Sequence, residues 1–150
     1  MSVAASNLCE VVGCLDTAAD AADARAALFV WTLLPRHGCR PIRFLGREML
    51  RADNRGAARF GNHPYWADIQ LYELYAGGFV AGVRHMRAGE DRAVWQDAWH
   101  SRDPAGITTT LRSHDIEAAL PGGALWPDGE APGPAWHALL DAVFGAAGRS

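Results

Sequence analysis

Between residues 68 and 87 two stretches rich in β-branched and aromatic residues flank Ala76-Gly77-Gly78. In the first, Ile69, Leu71, Glu73 and Tyr75 fall on one face of an extended chain, and Gln70, Tyr72 and Leu74 on the other. Strand-like runs on both sides of a Gly-Gly step predict a β-hairpin, because its tight turn needs a positive φ that glycine adopts without steric cost. Neither face is cleanly polar. The hairpin is therefore expected at the centre of a sheet, covered by helices on one side and partly wet on the other. A Gly-Glu-Asp turn at 89–91 leads into a third antiparallel strand over 93–100, with Trp95, Asp97 and Trp99 on one face.

Elsewhere the apolar period lengthens. Asp16 or Thr17 can cap a helix over 17–33, with Asp20 and Asp23 near its positive end, Leu28, Phe29, Trp31 and Leu33 along it, and Pro35 stopping it. Residues 42–45 read as a short strand and 47–54 as a short helix or turn, since Pro41, Gly46 and Gly56 argue against one continuous helix. Asp103 caps a helix with Pro104 at its first position, carrying Ile107 and Leu111 inward and ending between 113 and 119. The Pro/Gly-rich stretch 121–134 is a loop, after which Pro134 opens an amphipathic helix that buries Trp136, Leu139, Leu140, Val143 and Phe144. Residues 1–14 read as a lightly ordered lead-in. The expected architecture is one α+β domain over 1–150: an N-terminal helix, an antiparallel meander built on the central hairpin, and two C-terminal helices.

Composition narrows the function classes. At 150 residues the chain can enclose one core, and 49% apolar with 21% charged residues excludes global disorder. A net charge of −3 is far too weak for a protein that imitates the DNA polyanion. All 14 basic residues are arginine, which with 28 alanines reads as genome composition. Seven of those arginines lie in 36–59, giving that stretch +5 and leaving −8 for the rest. Three cysteines are an odd set, no basic residue precedes Arg25, and Thr32 interrupts the longest apolar run. Reduced thiols in the cytoplasm, with neither signal peptide nor membrane span, are the expectation.

Several constellations invite chemistry. Cys9, Cys14, His37 and Cys39 can be drawn as zinc ligands, but Cys-x4-Cys and His-x-Cys are atypical spacings, and incidental reduced thiols are the favoured reading. A Cys39 nucleophile served by His37 lacks an adjacent orienting group. His85, Asp97, His100 and Asp103 supply donors for a metal or acid–base site if strand pairing gathers them, against the plainer reading of exposed or hydrogen-bonded side chains. No Gly-rich phosphate loop or nucleophile elbow occurs, and no cofactor is implied. Arg43, Arg47 and Arg51 can contact phosphate or an acidic surface, although a solvated, salt-bridged face is favoured. Trp95 and Trp99, or Trp126, can anchor a protein partner.

Three stretches, taken in order, resemble plasmid antirestriction proteins of the ArdB/KlcA type. Leu34-Pro35-Arg36-His37-Gly38 is similar to the segment that follows the first helix there. Tyr72-Glu73-Leu74-Tyr75-Ala76-Gly77-Gly78-Phe79 resembles that family's Tyr-x-Leu-x-Asn-Gly-Gly-Phe hairpin, with Ala76 at the asparagine position. Asp103-Pro104-Ala105-Gly106-Ile107-Thr108-Thr109-Thr110-Leu111 resembles its Ala-Ala-Gly-Ile-x-x-x-Leu helix start, with His114 shortly after. The resemblance implies a small non-enzymatic α+β protein of plasmids and other mobile genetic elements, which relieves type I restriction of incoming DNA without DNA mimicry. It brings no catalytic set. The expected partner is a host or defence-system protein, with inhibition of another nucleic-acid-targeting complex such as CRISPR, or direct nucleic-acid binding through the arginine stretch, as alternatives. Arg36, His37, Trp95, Asp97 and Trp99 are the candidate partner contacts. Pro35 and Gly38 are expected at a helix exit, Gly77, Gly78 and Phe79 at the hairpin turn, and Gly106 with Ile107 where a helix packs closely on the sheet.

Overall fold

β-Structure begins earlier in the chain than the apolar period predicts. The computed structural model describes residues 21, 23–56, 64–120 and 132–145. The chain divides into two units, Met1–Val30 and Trp31–Ser150. In the first, residues 23–27 are helical, and the Arg25 guanidinium lies 4.7 Å over the Phe29 ring. The predicted helix over 17–33 needs correcting at its end, because Val30–Arg36 is a strand, β1. Val30, Trp31 and Thr32 are β-branched or aromatic, and such side chains fit a pleated surface better than a helix turn. Pro35 does not end a helix. It sits in β1, at the edge of the sheet, where a missing N–H is tolerated. The predicted lead-in 1–14, with Cys9 and Cys14, and the first eleven residues of the loop predicted over 121–134, with Trp126, lie outside the described residues, and the last helix already starts at Gly133.

The second unit is built on a five-stranded antiparallel sheet in the order β1-β2-β3-β4-β5, where β2 is Cys39–Asp53, β3 Tyr65–Leu74, β4 Phe79–Arg87 and β5 Ala93–Ser101. The central hairpin is present as predicted: Tyr72 pairs with Val80 and Glu73 with Phe79, and Gly77 and Gly78 turn the chain at φ +100° and +92°. The predicted third strand is β5. The arginine stretch departs from expectation, since one 15-residue strand replaces both the short strand and the helix or turn. From Gly46 onward β2 pairs with β3, with a bulge at Met49. Among the described residues three helices follow, α1 (Pro104–Ser113), α2 (Ile116–Ala119) and α3 (Gly133–Phe144). Asp103 caps α1 as expected, accepting from the Gly106 N–H at 2.7 Å. The chain breaks at His114 and restarts as α2 under an Asp115 cap.

Both faces of the sheet are covered. On one, Ile69, Leu71, Ala81 and Val83 pack with Ile107, Leu111, Trp136 and Leu140 from the helices. A Cβ on Gly106 would stand 2.0 Å from Ser101 Oγ, so the close helix–sheet approach expected there is real, and Ile107 beside it is 1% exposed. Val143 and Phe144 only flank this core. On the other face Phe44, Tyr72, Val80 and Ala98 pack with Leu34 and Ile42, so the β1–β2 hairpin folds over a surface that the sequence pattern leaves partly wet. Leu34 can come down onto the sheet because position 82 is glycine: a Cβ there would meet Leu34 Cδ1 at 3.0 Å.

Candidate functional site

The tip of the β1–β2 hairpin reaches the open edge of β5. The His37 backbone N–H donates to the Gln96 carbonyl at 2.7 Å. Arg36 Nε donates to Asp97 Oδ1 at 3.1 Å, across 61 residues of sequence, with both side chains largely shielded from solvent. The His37 ring lies 5.9 Å from Trp95, and Trp95 lies 6.2 Å from Trp99. The fold thus gathers Arg36, His37, Trp95, Asp97 and Trp99 into one neighbourhood. Pro35 and Gly38 belong to this tip and not to a helix exit, with Gly38 turning the chain at φ +70°. Along β1, Trp31 and Leu33 are exposed at 64% and 60%, and the Arg43 guanidinium lies 4.5 Å over the Trp31 ring.

The predicted gathering of His85 with His100 does not occur. His85 pairs in register with Trp95 and His100 with Val80, so the two histidines occupy opposite faces of the sheet, and Asp103 is engaged as the α1 cap. His85 meets His114 instead, with their Nε2 atoms 2.8 Å apart. One neutral imidazole donates to the other's lone pair, which fixes opposite tautomers on the two rings. Trp95, Trp99 and Trp136 surround His114 at centroid distances of 4.7, 5.5 and 5.4 Å. Burial drives the His85 pKa down to about 3, with His114 adding to the shift. Burial also holds His114 below the usual histidine value, against the pull of Asp115 and Asp97. This is a largely buried, uncharged pair, with His85 fully covered and His114 partly so, that braces α1 against the sheet. Among the described residues no three His, Cys, Asp or Glu side chains converge as metal ligands, and Cys39 is exposed on β2. The sequence places His114 just beyond the α1 start motif, but nothing local pairs it with His85, 29 residues away.

Beneath the hairpin lies a polar strip on β3. Gln70 Nε2 donates to Asp68 Oδ1 and the Tyr72 hydroxyl donates to Gln70 Oε1, both at 3.2 Å. Arg84 closes on Asp68 as a two-point pair, with Nε to Oδ1 at 3.2 Å and Nη2 to Oδ2. Asp68 and Gln70 are buried, so this pair fixes the register of β3 and β4 from within. A pocket of about 200 Å³ opens beside it, between Leu34 and Pro35 on the hairpin and Gln70, Arg84 and Gln96 on the sheet.

The arginines of β2 are partly engaged at the surface. Arg47 pairs with Glu73 at 2.7 Å and Arg51 with Glu48 at 2.8 Å, while Arg55, just beyond the strand, lies 5.1 Å from the Trp66 ring. Exposed pairs of this kind contribute about 0–1 kcal/mol each, so they shape the surface more than they hold the fold. No described helix is long and apolar enough to cross a membrane. In comparisons with known proteins, the chain matches no family model, no curated protein and no solved structure.

Proposed function

We propose that this chain is a counter-defence protein of a mobile genetic element, which relieves type I restriction of incoming DNA by docking on a protein partner rather than by catalysis or DNA mimicry. The docking part is carried by one observation: Arg36, His37, Trp95, Asp97 and Trp99, from two distant stretches, meet where the hairpin tip joins the β5 edge. Arginine and tryptophan are the residue types that dominate protein-binding hot spots, and Trp31, Leu33 and Arg43 extend the surface along β1. The restriction part rests on the resemblance of 34–38, 72–79 and 103–111 to ArdB/KlcA-type proteins. The weak net charge supports a route other than DNA mimicry.

Two alternatives use neighbouring residues. The same surface would serve capture of another defence complex such as CRISPR. Direct nucleic-acid binding through Arg43, Arg47 and Arg51 has less support, because Glu73 and Glu48 already engage the last two. The plating efficiency of unmodified phage on a type I restricting host, with and without soluble chain expressed, tests the reading. Plating rises with the chain present if the proposal holds, and unchanged plating rejects it. Relief of CRISPR interference alone points to the first alternative, and binding to DNA that weakens steeply with salt points to the second.

A further inference from the structure

We propose that the pocket under the β1–β2 hairpin is a binding site for a small, uncharged, planar ring with a lactam or amide edge, of pyrimidine-nucleobase class. Three observations lead there. The first is charge balance. Arg84 is neutralised by Asp68, and Asp97, at the rim, by Arg36, so the lining offers no net charge to an ionic ligand. The second is unused hydrogen-bonding capacity. The Gln96 carboxamide makes no hydrogen bond to a described residue, although its backbone carbonyl holds His37. Arg84 spends only Nε and Nη2 on Asp68, and Gln70 Nε2 spends one of its two hydrogens there, which leaves three N–H groups on Arg84 and one on Gln70. Donors from a guanidinium and two carboxamides, beside a carboxamide oxygen, match the alternating carbonyl and N–H edge of a lactam ring.

The third observation is size and shape. About 200 Å³ is the share of roughly seven water molecules, which suits a single ring of about eight heavy atoms and exceeds a lone carboxamide group. Leu34 and Pro35 form an apolar wall against which a flat ring can lie, while the polar groups stand on the sheet side. Ligands this small bind in the millimolar range unless tethered to something larger.

The test is titration of the ¹⁵N-labelled full chain with uridine, ribose and benzoate, read at the Gln96 side-chain amide and the Gly82 backbone amide. Uridine is expected to give saturable shifts at both, and ribose and benzoate none. Gln96→Leu is expected to weaken uridine binding at least about tenfold, as loss of a paired polar group does. Gln96→Glu keeps the shape and replaces the carboxamide's donor with a charge, so it is expected to lose binding while its spectrum stays that of a folded chain. No uridine shift at about ten times a millimolar Kd overturns the proposal. So does equal binding by Gln96→Leu, or benzoate binding as well as uridine.

Discussion

Replacing His85 with glutamine is expected to flatten the acid limb of this protein's stability curve. His85 is 1% exposed, touches His114 Nε2 at 2.8 Å, and faces the Trp95 and Trp136 rings at 5.5 Å each. Burial moves its pKa from 6.5 to about 3. Between those two values the unfolded chain binds a proton at residue 85 and the folded chain does not, so stability falls as pH falls. The contribution is complete above pH 6.5 and is lost progressively toward about pH 3. One proton is worth about 1.4 kcal/mol per pH unit, so going from pH 6.5 to about 4 removes about 3 kcal/mol through His85 alone. That is a large part of the roughly 5–15 kcal/mol that holds a typical domain together. His114, also depressed by burial, acts in the same direction. Glutamine cannot take the proton, yet its carboxamide can still donate to His114. Urea unfolding followed by tryptophan fluorescence, at several pH values between 7.5 and 4, measures the difference. The two proteins differ only at residue 85, so the divergence of the two curves belongs to the His85–His114 pair. Parallel curves would refute the assignment of His85 as a buried, neutral imidazole.

Further consequences follow from the packing. Trp136→Ala removes a side chain that is 0% exposed and donates to the Leu111 carbonyl at 3.0 Å; a loss of about 3–5 kcal/mol is expected, read as a large fall in thermal midpoint. Both turn glycines have positive φ, but only at Gly78 would a Cβ also crowd backbone, the Ser101 carbonyl at 3.1 Å. Gly77→Ala should therefore cost about 1 kcal/mol and Gly78→Ala clearly more in denaturant titrations, and equal costs would contradict the geometry. Arg36→Ala releases the hairpin tip from Asp97 and should speed hydrogen exchange at His37 with global stability changed by no more than about 1 kcal/mol. Unchanged protection at His37 would show that the tip is held by other contacts.

The parts of the fold that were legible are those whose signal is local. Alternation and a Gly-Gly step identify β3 and β4, and Asp103-Pro104 identifies the start of α1, because each feature acts within a few residues. β1 was hidden because an alanine-rich helical run leads straight into it, and Pro35 resembles a helix stop when it is an edge-strand residue near a hairpin turn. β2 was hidden by Pro41, Gly46 and the bulge at Met49, which shifts the alternation by one residue halfway along. The candidate partner residues could be picked singly by type. That 36–37 and 95–99 meet depends on the hairpin folding over the sheet, which no short-range pattern encodes. Residue type alone makes His85 a candidate donor, but its companion is His114 and not His100, because His114 comes from a different element and the pairing is a property of the α1–sheet packing.

If the chain restrains a defence enzyme by occupying a protein surface, as proposed, the effect will be visible in cleavage of unmodified DNA by a purified type I restriction complex, titrated with the purified chain in the presence of excess non-specific DNA. Inhibition is expected to saturate at a fixed ratio of chain to enzyme and to be indifferent to the competing DNA. Undiminished cleavage at a large excess of chain, or inhibition that competing DNA abolishes, would contradict the proposal.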